Sequence, residues 1–112
     1  MKTKKARVFH VPFKPFGFEK GAACYWFILI NKKYEGDEAL VKHEEVHIHQ
    51  QHKIGLIKYL WEYFVKKNQQ FILEMEFEAF IVDGRYSKDK IATILMDNYY
   101  LPTKLVLDYV YQ

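Results

Sequence analysis

The feature that most constrains this chain is the segment HEEVH at residues 43–47. The surrounding residues 38–52 have helical periodicity, and Asp37 stands in the N-cap position before them. In a helix His43 and His47 project from one side about a turn apart, so their imidazoles can share one zinc ion. Glu44 takes the general-base position of the HExxH motif. The chain must therefore fold so that further ligands face this helix.

A helical projection separates the histidines of this segment. His49 and His52 fall on the side opposite to His43 and His47, and we interpret them as surface residues without a metal role. The alternative interpretation is a solvated, histidine-rich helix face that binds nothing. The neighbours of the two motif histidines favour the metal-binding interpretation, because their side also carries Ala39, Leu40, Val46 and Gln50. The division is imperfect, since the apolar Val41 and Ile48 fall on the opposite side.

A catalytic zinc site usually has three protein ligands, so a third group is needed. The metzincin pattern requires a glycine and a third histidine where this chain has Gln50 and Lys53, which excludes that class. The other common solution is a glutamate on a later helix. Three candidates lie within the segment LEMEFEAF: Glu74, Glu76 and Glu78.

Helical projection distinguishes these glutamates. Glu74 and Glu78 share a side on which both reach water, whereas Glu76 stands alone on an apolar stripe. A buried ionised carboxylate is costly unless it is paired or coordinates a metal, so Glu76 is the predicted ligand. The competing interpretation is a glutamate at a helix edge that simply reaches solvent. The neighbours that define the stripe are Ile72, Leu73, Ala79 and Phe80.

Over residues 22–80 the chain resembles the gluzincin group of zincin metallopeptidases, in the small form of minigluzincins and short bacterial or phage peptidases. The resemblance implies zinc bound by His43, His47 and Glu76, with Glu44 as general base and acid in peptide-bond hydrolysis. The matching positions of the HExxHxxQ and Glu-x-x-Ala elements are His43, Glu44, His47, Gln50, Glu76 and Ala79.

The same resemblance implies a substrate-binding strand before the active-site helix. An extended peptide would lie along a sheet edge near Ala23, Tyr25 and Phe27, held mainly by main-chain hydrogen bonds. Larger gluzincins supply a histidine or tyrosine to the oxyanion from a further domain. The candidates for that role here are left unranked: Tyr34, Tyr86, Tyr99 and Tyr100.

The expected fold class is α+β, with a small N-terminal antiparallel sheet, an active-site helix and a glutamate-bearing helix in one zincin-like domain at residues 1–112. Strands are predicted at residues 6–11 and 22–31. Helices are predicted at residues 38–52, 56–67, 69–82 and 87–99, with Gly55 at a bend, Gly84 at a helix end and a last helix after Pro102.

Composition limits the partners and the compartment. The formal net charge of +3 is too small to indicate a nucleic-acid binder, and a basic arm of Lys2, Lys4, Lys5 and Arg7 is a minor alternative. No apolar run is long enough to span a bilayer, and the single cysteine, Cys24, fits a reducing compartment. We therefore expect a cytoplasmic protein that acts on a peptide or protein substrate, without nucleic-acid or membrane partners.

A second function remains open from the sequence. The same fold could hold zinc for stability only and capture a protein partner through its aromatic side chains without turnover. The aromatic content of 18% leaves enough rings for such a surface as well as for a core. A buried Glu44 that no substrate can reach would favour this alternative.

Overall fold

The computed structural model describes residues 6–112, which form a three-stranded sheet followed by five α-helices. This order confirms the predicted α+β class. Lys2, Lys4 and Lys5 of the predicted basic arm lie outside the described residues. The strands are β1 (Arg7–Val11), β2 (Gly21–Cys24) and β3 (Phe27–Asn31). The helices are α1 (Glu38–Ile54), α2 (Leu56–Leu60), α3 (Gln69–Asp83), α4 (Lys88–Asp97) and α5 (Thr103–Val110), and α2 continues into a π-helical segment, Trp61–Val65.

The sheet is mixed, whereas the sequence predicted an antiparallel one. Its strand order is β1-β3-β2, with β3 antiparallel to β2 and parallel to β1. The chain between β1 and β2 contains the buried Pro15 in a short 3₁₀ turn and leads from one edge of the sheet to the other. Because β3 then returns between the two earlier strands, it runs in the direction of β1.

The predicted strand at residues 22–31 is two strands joined by a tight turn. Cys24 pairs with Phe27, and Tyr25 between them has a left-handed φ of 50°. Helix α1 holds this turn: the N–H of Tyr25 donates to Oε1 of Gln51, and its carbonyl accepts from Nε2 of His52 at 2.7 Å. The prediction was wrong here because these aromatic residues favour extended structure and the stabilising contacts come from a distant helix.

The predicted helices are confirmed to within two residues at each end. Asp37 caps α1 by accepting a hydrogen bond from the N–H of Leu40 at 3.0 Å, and Ser87 caps α4 in the same way. Gly55 separates α1 from α2, and Gly84 ends α3 in the left-handed conformation. None of the helices in the described part of the chain has the length and hydrophobicity that crossing a membrane requires.

Two apolar clusters flank helices α1 and α3. One lies between the sheet and α1 and contains Ile28, Ile30, Leu40 and Ile48. The other joins α3 to α4 and α5, and its buried members are Leu73, Phe80, Ile91, Ala92, Leu95, Leu101, Val106 and Val110. Between these clusters α1 packs directly against α3, and the motif residues lie at that contact.

The cap of α1 gives the first testable prediction. Replacing Asp37 with alanine should lower the free energy of unfolding by about 1 kcal/mol, because the N-cap acceptor for Leu40 is lost. Asp37→Asn keeps that acceptor and should lose less than half as much, although it weakens the ion pair with Arg85. Urea unfolding of both variants measures the difference. Equal losses would mean that the cap contributes nothing.

Candidate metal centre

Helices α1 and α3 bring three metal-binding side chains together. His43 and His47 project from α1, and Glu76 meets them from α3. All three are buried, with exposed fractions of 4%, 6% and 3%. One potential ligand atom from each lies within 4.8 Å of the others, and no other such group occurs among residues 6–112. We call these three residues the His-Glu cluster.

The distances within the His-Glu cluster suit a tetrahedral zinc ion. Nε2 of His43 lies 3.0 Å from Oε1 of Glu76, and Nε2 of His47 lies 3.2 Å from the same oxygen. Ligands about 2.0 Å from a tetrahedral ion are about 3.3 Å from one another. Two imidazole nitrogens and one carboxylate oxygen are also donors that zinc prefers. The residues present therefore fit the group that the motif implies.

A second set of side chains holds the two imidazoles by their other nitrogens. Nδ1 of His43 donates to Oδ2 of Asp83 at 3.0 Å, and Nδ1 of His47 donates to Oε1 of Gln50 at 2.8 Å. Nε2 of Gln50 donates in turn to the carbonyl of Met75 at 3.0 Å, which fastens α1 to α3. Such partners fix the tautomer so that Nε2 of each ring faces the metal position.

Tyrosines surround the carboxylate of Glu76. The hydroxyl of Tyr63 donates to Oε2, and that of Tyr99 donates to Oε1 at 3.1 Å. The hydroxyl of Tyr59 lies 3.2 Å from Nδ1 of His47. Tyr59 and Tyr63 come from α2 and the π-helical segment, where their rings stack with centroids 5.7 Å apart. Every oxygen of Glu76 thus has a hydrogen-bond donor.

Electrostatics in the cluster lower the pKa of Glu76 and raise the pKa of both histidines. Burial by itself raises the pKa of Glu76, but the charge of His47 and hydrogen bonds from both histidines hold that pKa well below its usual value. Burial lowers the pKa of His43, yet its hydrogen bonds to Asp83 and Glu76 raise it to about 10. Burial lowers the pKa of His47 as well, but the charge of Glu76, its hydrogen bond and the charge of Glu44 together raise that pKa.

Glu44 differs from the other buried acids because it has no bonding partner. Its side chain is almost fully buried, and its carboxylate forms no hydrogen bond or ion pair with residues of the described chain. Burial raises the pKa of this carboxyl, with His47 and His43 opposing the shift. A carboxylate that is free of partners and has a raised pKa is suited to accept a proton at neutral pH.

A cleft opens beside the cluster and gives access to Glu44. It encloses about 340 Å³ and is lined by Glu44, the His-Glu cluster, strand β2 and aromatic side chains that include Phe16 and Phe64. β2 is an edge strand, so Ala23 lies at the predicted sheet edge. Tyr25 lies in the turn, and Phe27 lies on the central strand, where β1 and β2 occupy both of its edges. The predicted edge is therefore wrong for Phe27.

The other histidines and glutamates considered from the sequence lie outside the His-Glu cluster. His52 is exposed and His49 is half-buried, both outside the cluster. Glu74 accepts a hydrogen bond from Gln70 at 2.7 Å on the protein surface. Glu78 accepts from Nε2 of Gln50 at 2.7 Å, so it supports His47 through Gln50 without touching it.

The structure ranks the four oxyanion candidates. Tyr99 lines the cleft and contacts Glu76. Tyr34 donates to Glu19 at the surface, and Tyr100 is 84% exposed. Tyr86 packs against Phe80 and beneath the guanidinium of Arg85. Of these candidates, Tyr99 is the one that reaches the His-Glu cluster.

Sequence reasoning missed three side chains that complete the site. Asp83 lies two helical turns after Glu76, on the same face of α3, so the spacing was a usable signal. Tyr59 and Tyr63 are spaced as neighbours on one helix face, but nothing in their pattern indicates that the face turns toward the cluster. Comparison with protein-family models, curated proteins and solved structures finds no match to this chain.

The geometry predicts which glutamate binds the metal. Replacing Glu76 with alanine should lower zinc affinity by orders of magnitude, because the anionic ligand is lost. The matched control Glu74→Ala should leave affinity unchanged, and Glu78→Ala should lower it by about tenfold at most through Gln50. Competitive zinc titration of the three variants tests this. Parent-like affinity in Glu76→Ala would remove Glu76 from the site.

The raised histidine pKa values predict that zinc uptake releases protons. With a pKa of about 10, the His43 ring of the metal-free protein carries at pH 7 a proton that a zinc ligand must lose, and the raised pKa of His47 acts in the same direction. Zinc affinity should therefore rise as the pH increases from 7 toward 10. Calorimetry in two buffers with different heats of ionisation counts these protons. Asp83→Asn replaces the carboxylate whose hydrogen bond raises the pKa of His43, so this variant should release fewer protons. Identical heats in both buffers would contradict the assignment.

Proposed function

We propose that this protein is a zinc-dependent peptidase whose metal ligands are His43, His47 and Glu76. The observation that carries the proposal is the convergence of these three donors beside the unpartnered carboxylate of Glu44 in an open cleft. Zinc, when bound, supplies a Lewis acid that polarises the scissile carbonyl and activates water. The remaining chemistry belongs to side chains of this chain.

Glu44 is proposed as the general base and acid. Its carboxylate accepts the proton of the attacking water and delivers it to the nitrogen of the leaving amine. Because no hydrogen bond holds it elsewhere, it needs no rearrangement to take up that proton. Tyr99, which lines the cleft, is the best placed of the four tyrosine candidates to donate a hydrogen bond to the oxyanion, for which its hydroxyl would give up its hydrogen bond to Oε1 of Glu76.

The edge of strand β2 is proposed as the substrate-binding edge. The carbonyl of Lys20 accepts from the N–H of Asn31 at 2.8 Å, so strand alternation turns the peptide groups of Gly21 and Ala23 away from β3. The carbonyl of Ala23 is already occupied by Nε2 of Gln51 at 3.1 Å. Gly21, next to Glu44, therefore offers the open peptide groups to which an extended substrate would bind.

The alternative is a zinc-stabilised binding module without turnover. The observation that favours it is a set of large side chains that are more than half exposed, which is typical of a contact surface. These are Phe13, Phe16, Trp26, Ile57, Trp61, Val65, Val82, Tyr100 and Tyr111. The access that the cleft gives to Glu44 supports the enzyme instead. The single free cysteine, Cys24, supports a cytoplasmic location for either function.

Replacing Glu44 with glutamine separates the two functions. The variant should keep its zinc, while hydrolysis of a mixed peptide library falls by at least about 100-fold because the proton acceptor is lost. Glu45→Gln, one residue further along α1 and not part of the cleft lining, is the matched control and should hydrolyse like the parent. Metal content is measured beside the rate. A parent protein that cleaves no peptide, yet binds a partner as tightly as Glu44→Gln does, would establish the binding module.

A further inference from the structure

The site opens on a second side that the proposed chemistry does not use. A depression of about 570 Å³ lies there, and Glu44 lines it too. The cleft already described and this depression adjoin at the site, and together we call them the groove. The lining residues that both share are Phe18, Gly21, His43, Glu44 and Tyr99.

The two halves of the groove differ in chemistry. Aromatic and aliphatic side chains line the first half, which we call the aromatic half; they include Phe16, Leu60 and Phe64. The second, which we call the basic half, is lined by three basic residues, Lys20, Arg85 and Lys90, and by one acid besides Glu44, which is Glu19. A substrate that crosses Glu44 would therefore meet an apolar surface on one side and a charged surface, in which basic residues predominate, on the other.

The positive charge of the basic half is only partly neutralised. The guanidinium of Arg85 forms ion pairs with Asp37 at 3.2 Å and with Asp83 at 3.7 Å, so its charge is balanced. Lys20 and Lys90, in contrast, form no ion pair with any residue that the structure describes. Glu19 places one carboxylate in the same lining, where its Oε1 accepts a hydrogen bond from Tyr34 at 3.2 Å. The two ammonium groups outnumber it and attract an anion, and a carboxylate is the anion that a peptide carries.

The edge of the sheet connects the two halves. Phe18, Lys20 and Gly21 border the basic half, and the chain continues as β2 along the aromatic half. Gly21 lies at the crossing, where a β-carbon would be 3.6 Å from Cγ of Glu44 and only 2.9 Å from Cδ1 of Ile30. An extended peptide beside this edge would thus place residues on opposite sides of the attacked bond in opposite halves.

We propose that the substrate is a peptide with a large apolar side chain on one side of the attacked bond and a carboxylate on the other. This inference rests on the proposed peptidase function. The aromatic half buries the apolar side chain, and the ammonium groups of Lys20 and Lys90 bind the carboxylate. The carboxylate is either an acidic side chain or the C-terminus of the peptide.

Binding to the inactive Glu44→Gln variant tests the preference without hydrolysis. Fluorescence anisotropy would compare labelled peptides that share one phenylalanine and differ in having Glu, Gln or Lys on the other side of the bond. The Glu peptide should bind about five-fold more tightly than the Gln peptide, and the Lys peptide more weakly than both. Gln peptides with a free or an amidated C-terminus distinguish the two carboxylate sources.

Substitutions in the lining of the groove identify the side chains that cause the peptide preference. In the Glu44→Gln background, Lys90→Glu should reverse the order of the Glu and Lys peptides. Lys88→Glu, on the same helix and with the same change in net charge, should preserve the order because Lys88 does not line the groove. Phe64→Ala should weaken the preference for phenylalanine over alanine in the peptide. Trp61→Ala, an exposed neighbour outside the lining, should not.

The outcomes separate this inference from the proposed function. Hydrolysis by the parent protein, with equal binding of the Glu, Gln and Lys peptides, would overturn the substrate preference and leave the peptidase intact. Preferential binding of the Glu peptide, with no hydrolysis of any peptide, would support the preference and overturn the peptidase. Loss of the preference in Lys88→Glu as well as in Lys90→Glu would show a general charge effect and contradict the assigned groove.

Discussion

The ionised carboxylate of Glu76, buried between two histidines, is the interaction on which the rest of the structure depends. Removing a carboxylate from water is unfavourable unless charges and hydrogen bonds replace the lost hydration. Those replacements come from separate parts of the chain: His43 and His47 from α1, Tyr63 from the π-helical segment, and Tyr99 from the segment that follows α4. Satisfying one buried group therefore fixes the relative positions of most of the helices.

The polar side chains around Glu76 lie between α1 and α3, which also explains why the protein has two separate apolar clusters. Leu40 and Ile48 on α1 pack toward the sheet, while Leu73 and Phe80 on α3 pack toward α4 and α5. Both helices thus have one apolar side and one side that faces the site. Apolar packing supports the site from both directions, and Asp83 and Gln50 fix the orientation of the rings. Glu44 has no such hydrogen-bond partner among the described residues, which is the reason for proposing it as the general base.

Much of the fold and of the candidate site was predictable because the signals are local. Asp37, Gly55 and Gly84 act within a few residues of their own position, so they marked helix ends correctly. The isolation of Glu76 on an apolar stripe selected it from three glutamates, and the structure places it beside His43 and His47. The direction of β1 and the turn at Tyr25 were not predictable, because they depend on contacts between residues far apart in sequence.

The sequence by itself determined the donor types, their spacing and the face of α3 that carries a carboxylate. Helical periodicity encodes these features, since it relates residues three or four positions apart. Only the tertiary structure decided that Tyr59, Tyr63 and Tyr99 surround the cluster and that the groove has an aromatic and a basic half. Those features arise where separate elements pack together, and no local pattern specifies which faces meet. A tyrosine or lysine has the same preference for helix or strand whether its side chain faces solvent or a buried site.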